Sequence, residues 1–361
     1  MITELKNVLL DDFWIMPQTP KYTESGIPYI TSKNIKGGKI NFENVNYISI
    51  DDYKKISKNR PILKNDILIS MIGTLGETAI VDDSYGEFYG QNMFLVRLDN
   101  SKIDYRFFIN FFKSTHVKNH LARKQNKSTQ SYLKANHIES LMIPVFTIKE
   151  QKEIANQLDK VHDLIKLKIQ QIEKLDELIK SQFVEMFGDP NFNNKNWKIN
   201  KWNEVLTIKN GKNQKKVEQE DGIYPIYGSG GIMSYANDYI CNEDSVIIGR
   251  KGNINNPILV RTKFWNVDTA FGLEPCKEKI IVEYLYYFCY FYNFEKHNKA
   301  VTIPSLTKTD LLNIDIPIPP IELQNKFAEF VKQIDKQKIE IENSLKEMQE
   351  LYESLMDKYF G

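Results

Sequence analysis

Cysteine is scarce in this 361-residue chain: Cys241, Cys276 and Cys289 are the only three, all in the second half, and no two form a C-x-x-C pair. That spacing supports neither a zinc site nor a disulfide framework. Long apolar runs are missing too, none approaching the ~20 residues of a membrane span. The opening residues 1–14 carry acids where a signal peptide has basic charge. The expectation is a cytoplasmic protein that makes no membrane contact. Charge of one sign is also lacking: 48 Lys and Arg stand against 47 Asp and Glu, a net charge of +1. Such a balance permits nucleic-acid binding without demanding it, so local patches must carry that case.

Signatures of chemistry are absent as well. Gly228-Ser229-Gly230-Gly231 lacks the Lys-Ser/Thr of a phosphate-binding loop and the spacing of a dinucleotide fingerprint, and reads as a turn. Asp189-Pro190-Asn191-Phe192 has the outline of an adenine-methyltransferase motif but no cofactor-binding glycine motif, and reads as a linker. Among the five histidines only His116 and His120 fall at i, i+4, with no carboxylate between them, which fits a basic surface better than a metal site. No Ser-His-Asp or paired-carboxylate arrangement can be picked out.

What is present is a repeat. Residues 143–188 and 316–361 align at a constant offset of 173, which carries Ile143-Pro144 onto Ile316-Pro317, Gln151 onto Gln324 and Phe187-Gly188 onto Phe360-Gly361. Each copy spaces its apolar residues alternately by four and three. In the first, Ile154, Leu158, Val161, Ile165, Lys168, Ile172, Leu175, Ile179, Gln182 and Met186 form the seam. In the second it is Phe327, Val331, Ile334, Lys338, Ile341, Leu345, Met348, Tyr352, Leu355 and Tyr359. This is a coiled-coil pattern, preceded by prolines and closed by glycine. At 1.5 Å per residue such helices reach roughly 55 to 60 Å. Neither can bury its stripe alone, so the two are expected to pair, with Lys168 and Lys338 setting register.

The segments between the helices repeat in outline. Ile27-Pro28-Tyr29-Ile30 answers to Tyr224-Pro225-Ile226-Tyr227. The run of residues 66–81, two strands around Gly73 and Gly76, answers to Asp244-Ser245-Val246-Ile247-Ile248-Gly249 and its sequel through Gly252 to Val260. Thr129, Leu133 and Ile138 return to the 173 offset with Thr302, Leu306 and Leu311. The division is 1–147, a first lobe; 148–188, a first helix; 189–320, a second lobe; and 321–361, a second helix. Antiparallel helices would place the lobes at opposite ends, facing a partner with its own two-fold symmetry, for which duplex DNA is the commonest candidate.

Basic residues interleaved with amides and hydroxyls mark the candidate contacts. In the first lobe these are Lys33, Asn34, Lys36 and the tract of Lys124, Gln125, Lys127, Gln130 and Ser131. In the second they are Lys212, Asn213, Lys215, Lys216, Ser229, Arg250, Lys251 and Asn253. Lysine and arginine neutralise phosphates, while Asn, Gln and Arg can pair with base edges. The competing reading for each is ordinary solvated surface. For the whole chain it is a two-lobed coiled-coil scaffold that does not read DNA.

Over its whole length the chain resembles the specificity subunit of type I restriction-modification systems. The residues that carry the resemblance are Ile143-Pro144 with Glu150-Gln151, Ile316-Pro317-Ile318-Pro319-Pro320 with Glu322 and Gln324, Ile27-Pro28-Tyr29-Ile30, the stretch from Asp66 to Val81, Asn210-Gly211-Lys212, and Tyr224-Pro225-Ile226-Tyr227-Gly228-Ser229-Gly230-Gly231-Ile232 followed by Ile248-Gly249-Arg250-Lys251-Gly252. It implies two pseudo-repeated α/β (α+β) target-recognition domains, joined by two long helices in an antiparallel coiled coil. It further implies a non-catalytic chain that binds no cofactor and reads a bipartite, asymmetric target in double-stranded DNA. The helices would set the unread spacer and hold two methyltransferase subunits. Those subunits use S-adenosylmethionine, and restriction subunits use ATP.

Overall fold

The computed structural model describes residues 2–11, 14–15, 20–73, 75–124, 132–298 and 303–361. The chain divides into two units, one of residues 1–167 with 344–361 and the other of residues 168–343. Each unit therefore holds one lobe and one half of each long helix.

In the first unit the central sheet is antiparallel, in the order Trp14–Ile15, Met93–Val96, Ile67–Ser70, Thr78–Ile80. Ile67–Ser70 and Met93–Val96 are buried along their whole length, which is why they read as unbroken apolar runs rather than as alternating ones. Successive side chains leave a strand on opposite faces, and here the two faces enter different cores. Ile67, Ile69, Phe94 and Val96 pack with Phe107, Phe108, Phe111 and Phe112 around the helix Tyr105–Lys113. Leu68, Met93 and Leu95 pack with Tyr29, Ile30 and Ile48 of a second sheet, ordered Tyr89–Gly90, Ile27–Ile30, Asn46–Ile48, Tyr22–Thr23.

The second unit repeats this layering. Its antiparallel sheet runs Leu206–Asn210, Ala270–Pro275, Ser245–Gly249, Ile258–Val260, with Val246 and Ile248 facing Tyr284, Leu285 and Phe288. Ile247 faces the other way, against Cys241 and Phe264. The second sheet is Gly231–Ala236, Tyr224–Gly228, Trp265–Asn266. Cys241 and Cys289 are buried free thiols, and burial pushes the Cys241 thiol up to about 12.

Each lobe is closed at its base by a two-stranded ribbon. Ile2–Glu4 pairs antiparallel with Met142–Pro144 in the first unit, and Lys198–Lys201 with Asp315–Ile318 in the second. The ribbon leads into the helix. Thr147 and Glu150 form a capping box at the start of Ile148–Phe187, Thr147 N–H donating to Glu150 Oε2 at 2.8 Å and Glu150 N–H to Thr147 Oγ1 at 3.3 Å. One turn on, buried Gln151 donates to the carbonyls of Lys102 and Phe146 and accepts from the Asp104 N–H. In the second unit buried Gln324 does the same for Lys279, Pro319 and Ile281.

The long helices, Ile148–Phe187 and Ile321–Phe360, pair antiparallel. In the first unit Tyr359 donates to Gln157 Oε1 at 2.9 Å, and His162 faces Tyr352 with ring centroids 6.0 Å apart. In the second unit Lys338 Nζ meets Asp176 Oδ1 at 2.7 Å, and Phe183 and Phe187 both pack against Phe327. Every seam position named above is buried or half-buried, while the residues between them are mostly exposed. The helix ends are the best covered, because Ile154 and Leu158 in one unit, and Ile179, Phe327 and Val331 in the other, join the cores of the lobes. The first helix stops at Gly188, whose φ of +83° suits glycine and where a Cβ would lie 2.0 Å from the Asn194 side chain.

Candidate nucleic-acid interface

In the second lobe most candidate residues leave the same end of the sheets, tied together by residues 266–270. The Lys212 N–H donates to the Asn266 carbonyl and the Lys212 carbonyl accepts from Trp265 Nε1, both at 2.9 Å. The Val267 N–H donates to the Tyr227 carbonyl, just before the turn that carries Ser229, and the Arg250 N–H donates to the Thr269 carbonyl at 2.8 Å. Strand ends at residues 210, 228 and 249 are thus stitched to one connection, and their loops emerge side by side. Lys251 forms an isolated bridge with Ser305, and the Gly252 N–H donates to the Pro304 carbonyl, so the 250–253 turn is held from its other side too.

Lys212, Asn213, Lys215, Lys216, Arg250, Lys251 and Asn253 are exposed, and Ser229 is half-buried. Arg250 lies over the Phe271 ring, 5.8 Å from its centroid, with Nη1 3.4 Å from the Asp268 carbonyl oxygen. Asn213 accepts from the Lys215 N–H, which fixes the bend of its loop. Some other cations of this lobe are neutralised, Lys209 by Glu274, Lys201 by Asp315, and Arg261 by Asp244 and Glu283, while exposed Lys195 and Lys198 form no ion pair among the described residues. No such pair forms at Lys212, Lys215, Lys216, Arg250 or Lys251 among the described residues. Their charge stays available, which is the electrostatic footprint expected of a surface that meets phosphates.

In the first lobe Lys33 and Lys36 are exposed on the excursion between strands Ile27–Ile30 and Asn46–Ile48. Asn34 sits between them, and its amide is engaged within the loop: Oδ1 accepts from Thr31 N–H and Oγ1, and Nδ2 donates to the Asn41 carbonyl. Lys124 ends the helix Thr115–Lys124. Gln125, Lys127, Gln130 and Ser131 lie outside the described residues. Here too a short connection ties neighbouring loops together, with the Gln91 N–H donating to the Ile30 carbonyl and the Met71 N–H to the Asn92 carbonyl.

The family described as "Type I restriction modification DNA specificity domain" matches this sequence twice, over residues 15–177 and 194–351. The chain belongs to that family. It is similar to the type I restriction enzyme MjaIX specificity subunit of Methanocaldococcus jannaschii, 23% identical over 94% of this chain and 87% of the relative. Its fold is that of the type I restriction-modification S subunit from M. genitalium, with a TM-score of 0.61 at 18% identity over 100% of this chain and 96% of that one. A chain from structural work on complex assembly and conformational transition of the type I R-M system matches with a TM-score of 0.64, again at 18% identity, over 100% and 97%. Each matched stretch falls within one of the two lobe-and-helix repeats.

Outside the seam, the long helices carry exposed apolar side chains in places. Leu164, Leu167 and Leu351 in the first unit, and Ile169, Leu178 and Ile339 in the second, are exposed outside the seam. Beside Ile339 a groove of about 710 Å³ runs along the helix, lined among others by Arg261, Glu283, Val331, Lys332 and Asp335. The resemblance assigns the helices' outer faces to partner subunits, but the sequence names none of these residues. Ile72, Ile232 and Met233, to which the sequence assigns no contact, are exposed apolar residues at the same lobe ends as the cations. Among the described residues there is no cluster of three or more metal-ligating side chains, and no helix is long and apolar enough to cross a membrane.

Proposed function

We propose that this chain is the recognition part of a type I restriction-modification complex and that its two lobes read the two halves of a bipartite, asymmetric sequence in double-stranded DNA. The observation that carries this reading is the set of exposed cations without an ion pair among the described residues, Lys212, Lys215, Lys216, Arg250 and Lys251, presented with amides from one end of the second lobe. Lys33 and Lys36 play that part in the first lobe. Lysines fix position on the phosphates, and Arg250, Asn213 and Asn253 are of the types that pair with base edges. The paired 40-residue helices set the length of DNA left unread between the halves.

The same reading gives the helices' outer apolar residues and the groove beside Ile339 to two methyltransferase subunits, one at each repeat. Exposed apolar side chains beside a groove fit such a contact. Catalysis resides in those partners: S-adenosylmethionine supplies the methyl group, and restriction subunits couple ATP to cleavage. A methyltransferase acting on an adenine inside a duplex extrudes that base, so deformability of the site adds to its selection. The chain's own contribution is position and sequence.

The test is to express the chain with its cognate methyltransferase subunit in a host lacking other adenine methylation and to sequence the modified bases. The expected result is a single motif split by a fixed spacer, with modified adenine in both halves. Methylation at a contiguous motif, or without a motif, overturns the proposal.

A further inference from the structure

The two lobes share two loops at the candidate interface, and the chemistry of those loops is exchanged. The first is the connection between the strand that runs parallel to its neighbour and the next strand of the same sheet. In the first lobe, Ile27–Ile30 is parallel to Tyr89–Gly90 and is followed in its sheet by Asn46–Ile48; in the second, Tyr224–Gly228 is parallel to Trp265–Asn266 and is followed by Gly231–Ala236. The second loop follows the buried central strand. Met71 and Ile72 in the first lobe correspond to Arg250 and Lys251 in the second. The Leu133 N–H donates to the Met71 carbonyl as the Leu306 N–H does to that of Arg250, and Ile72 bridges Tyr132 as Lys251 bridges Ser305.

The first lobe fills the first loop with residues 31–45, among them Lys33 and Lys36, and the second loop with Met71 and Ile72. The second lobe closes the first loop with Ser229 and Gly230 alone, which brings Ile232 and Met233 to its tip, and fills the second loop with Arg250 and Lys251. Ile72 is 42% exposed, Ile232 54% and Met233 59%, although each is large and apolar. Met233 lies across the chain at Gly228, where a Cβ would come within 2.8 Å of its sulfur, so it is held in place rather than trailing. In both lobes the two loops adjoin, joined by Gln91 and Asn92 in one and by residues 267–269 in the other.

We propose that each lobe reads its half-site with one cationic loop and one apolar loop, exchanged between the lobes, and that Ile72 and Met233 are the apolar specificity residues, each seated on a thymine methyl group. This rests on the reading of the chain as a DNA-specificity subunit. The neighbouring cations select a polyanion over an apolar protein partner. Within duplex DNA the major-groove methyl group of thymine is the apolar feature that such a side chain can read. Ile232, beside Met233, shields that contact from water.

The experiment uses the whole chain assembled with its methyltransferase subunits and compares Ile72→Ala and Met233→Ala with the unsubstituted complex by sequencing modified adenines. Ile72→Ala is expected to lower discrimination about three- to tenfold at one thymine of one half-motif, leaving the other half unchanged. Met233→Ala should do the same to the other half alone. Both side chains are exposed, so unfolding transitions should match those of the unsubstituted chain. Unchanged motifs in both variants overturn the proposal, as does loss of subunit assembly, which would assign the apolar residues to a protein contact. A missing split motif in the unsubstituted complex would instead sink the underlying functional reading.

Discussion

Gln151 and Gln324 stand 173 residues apart and perform one task twice: each is a buried amide one turn inside a long helix, donating to two carbonyls and accepting from one N–H of the lobe that precedes the helix. Removing either amide leaves three backbone groups without partners in a dry site. At about 1 kcal/mol per lost bond, with more for a group left unsatisfied, Gln151→Ala and Gln324→Ala should each cost about 2–4 kcal/mol. Because the two amides serve different units, denaturant unfolding followed by unit-specific probes should show one transition moving in each variant. A loss below about 0.5 kcal/mol would refute the role.

Lys338 is a charged residue in an apolar seam, and its partner Asp176 is nearly half exposed. A pair so open to solvent contributes about 0–1 kcal/mol. Lys338→Met should therefore leave the stability of residues 168–343 unchanged or raise it by up to about 1 kcal/mol through added apolar burial. The expected cost lies in register, which disulfide trapping of cysteine pairs placed along the two helices would read as more than one alignment.

Phe183 sits in a nest of rings, with centroids 5.0 Å from Phe187, 5.7 Å from Tyr284, 5.4 Å from Phe291 and 5.6 Å from Phe327. Phe183→Ala should destabilise that unit by about 3–5 kcal/mol, measured by thermal or denaturant unfolding. At the corresponding position of the other repeat stands Met356, buried in the first lobe's core. Met356→Ala should cost about 2–5 kcal/mol there.

Lys212 and Lys251 are exposed and free of ion pairs among the described residues, so each should meet a phosphate rather than a base. In the assembled complex, Lys212→Ala and Lys251→Ala should weaken binding evenly across sequences, and each should make the dependence of log K on log salt shallower by about 0.9. The methylation motif should stay the same. The isolated chain, whose lobes carry surpluses of only four and one positive charges, should bind DNA more weakly and with a shallower slope than the complex.

Much of this fold could be read before any coordinates. The seam from Ile154 to Met186 and from Phe327 to Tyr359 follows from spacing alone, because a heptad is a local signal. The paired strands around Gly73 and Gly252 were legible for the same reason. The base ribbons were not: Ile143 pairs with Thr3, and Ile316 with Asn200, across the length of a lobe, and neither run announces its partner. The repetition of Gln151 was visible, but its cause, two contacts to a distant loop and one to the carbonyl of Phe146 just before the helix, was not. Composition pointed to Lys33 and Arg250 as parts of a surface. It could not show that the Asn34 amide is engaged inside its own loop, or that Ile72 and Met233, apolar residues that a pattern assigns to a core, stand in solvent.

The ribbon Ile2–Glu4 with Met142–Pro144 has one more consequence. The first lobe starts and finishes at neighbouring points, with Ile2 opposite Pro144 and Glu4 opposite Met142, about 5 Å apart across the ladder. Lys198 and Ile318 frame the second lobe in the same way. A lobe is thus a closed loop of chain hung on a single hinge-post. Whatever is inserted between those posts, short or long, leaves the helices' own register untouched, so a whole lobe can be exchanged without disturbing the coil that carries it.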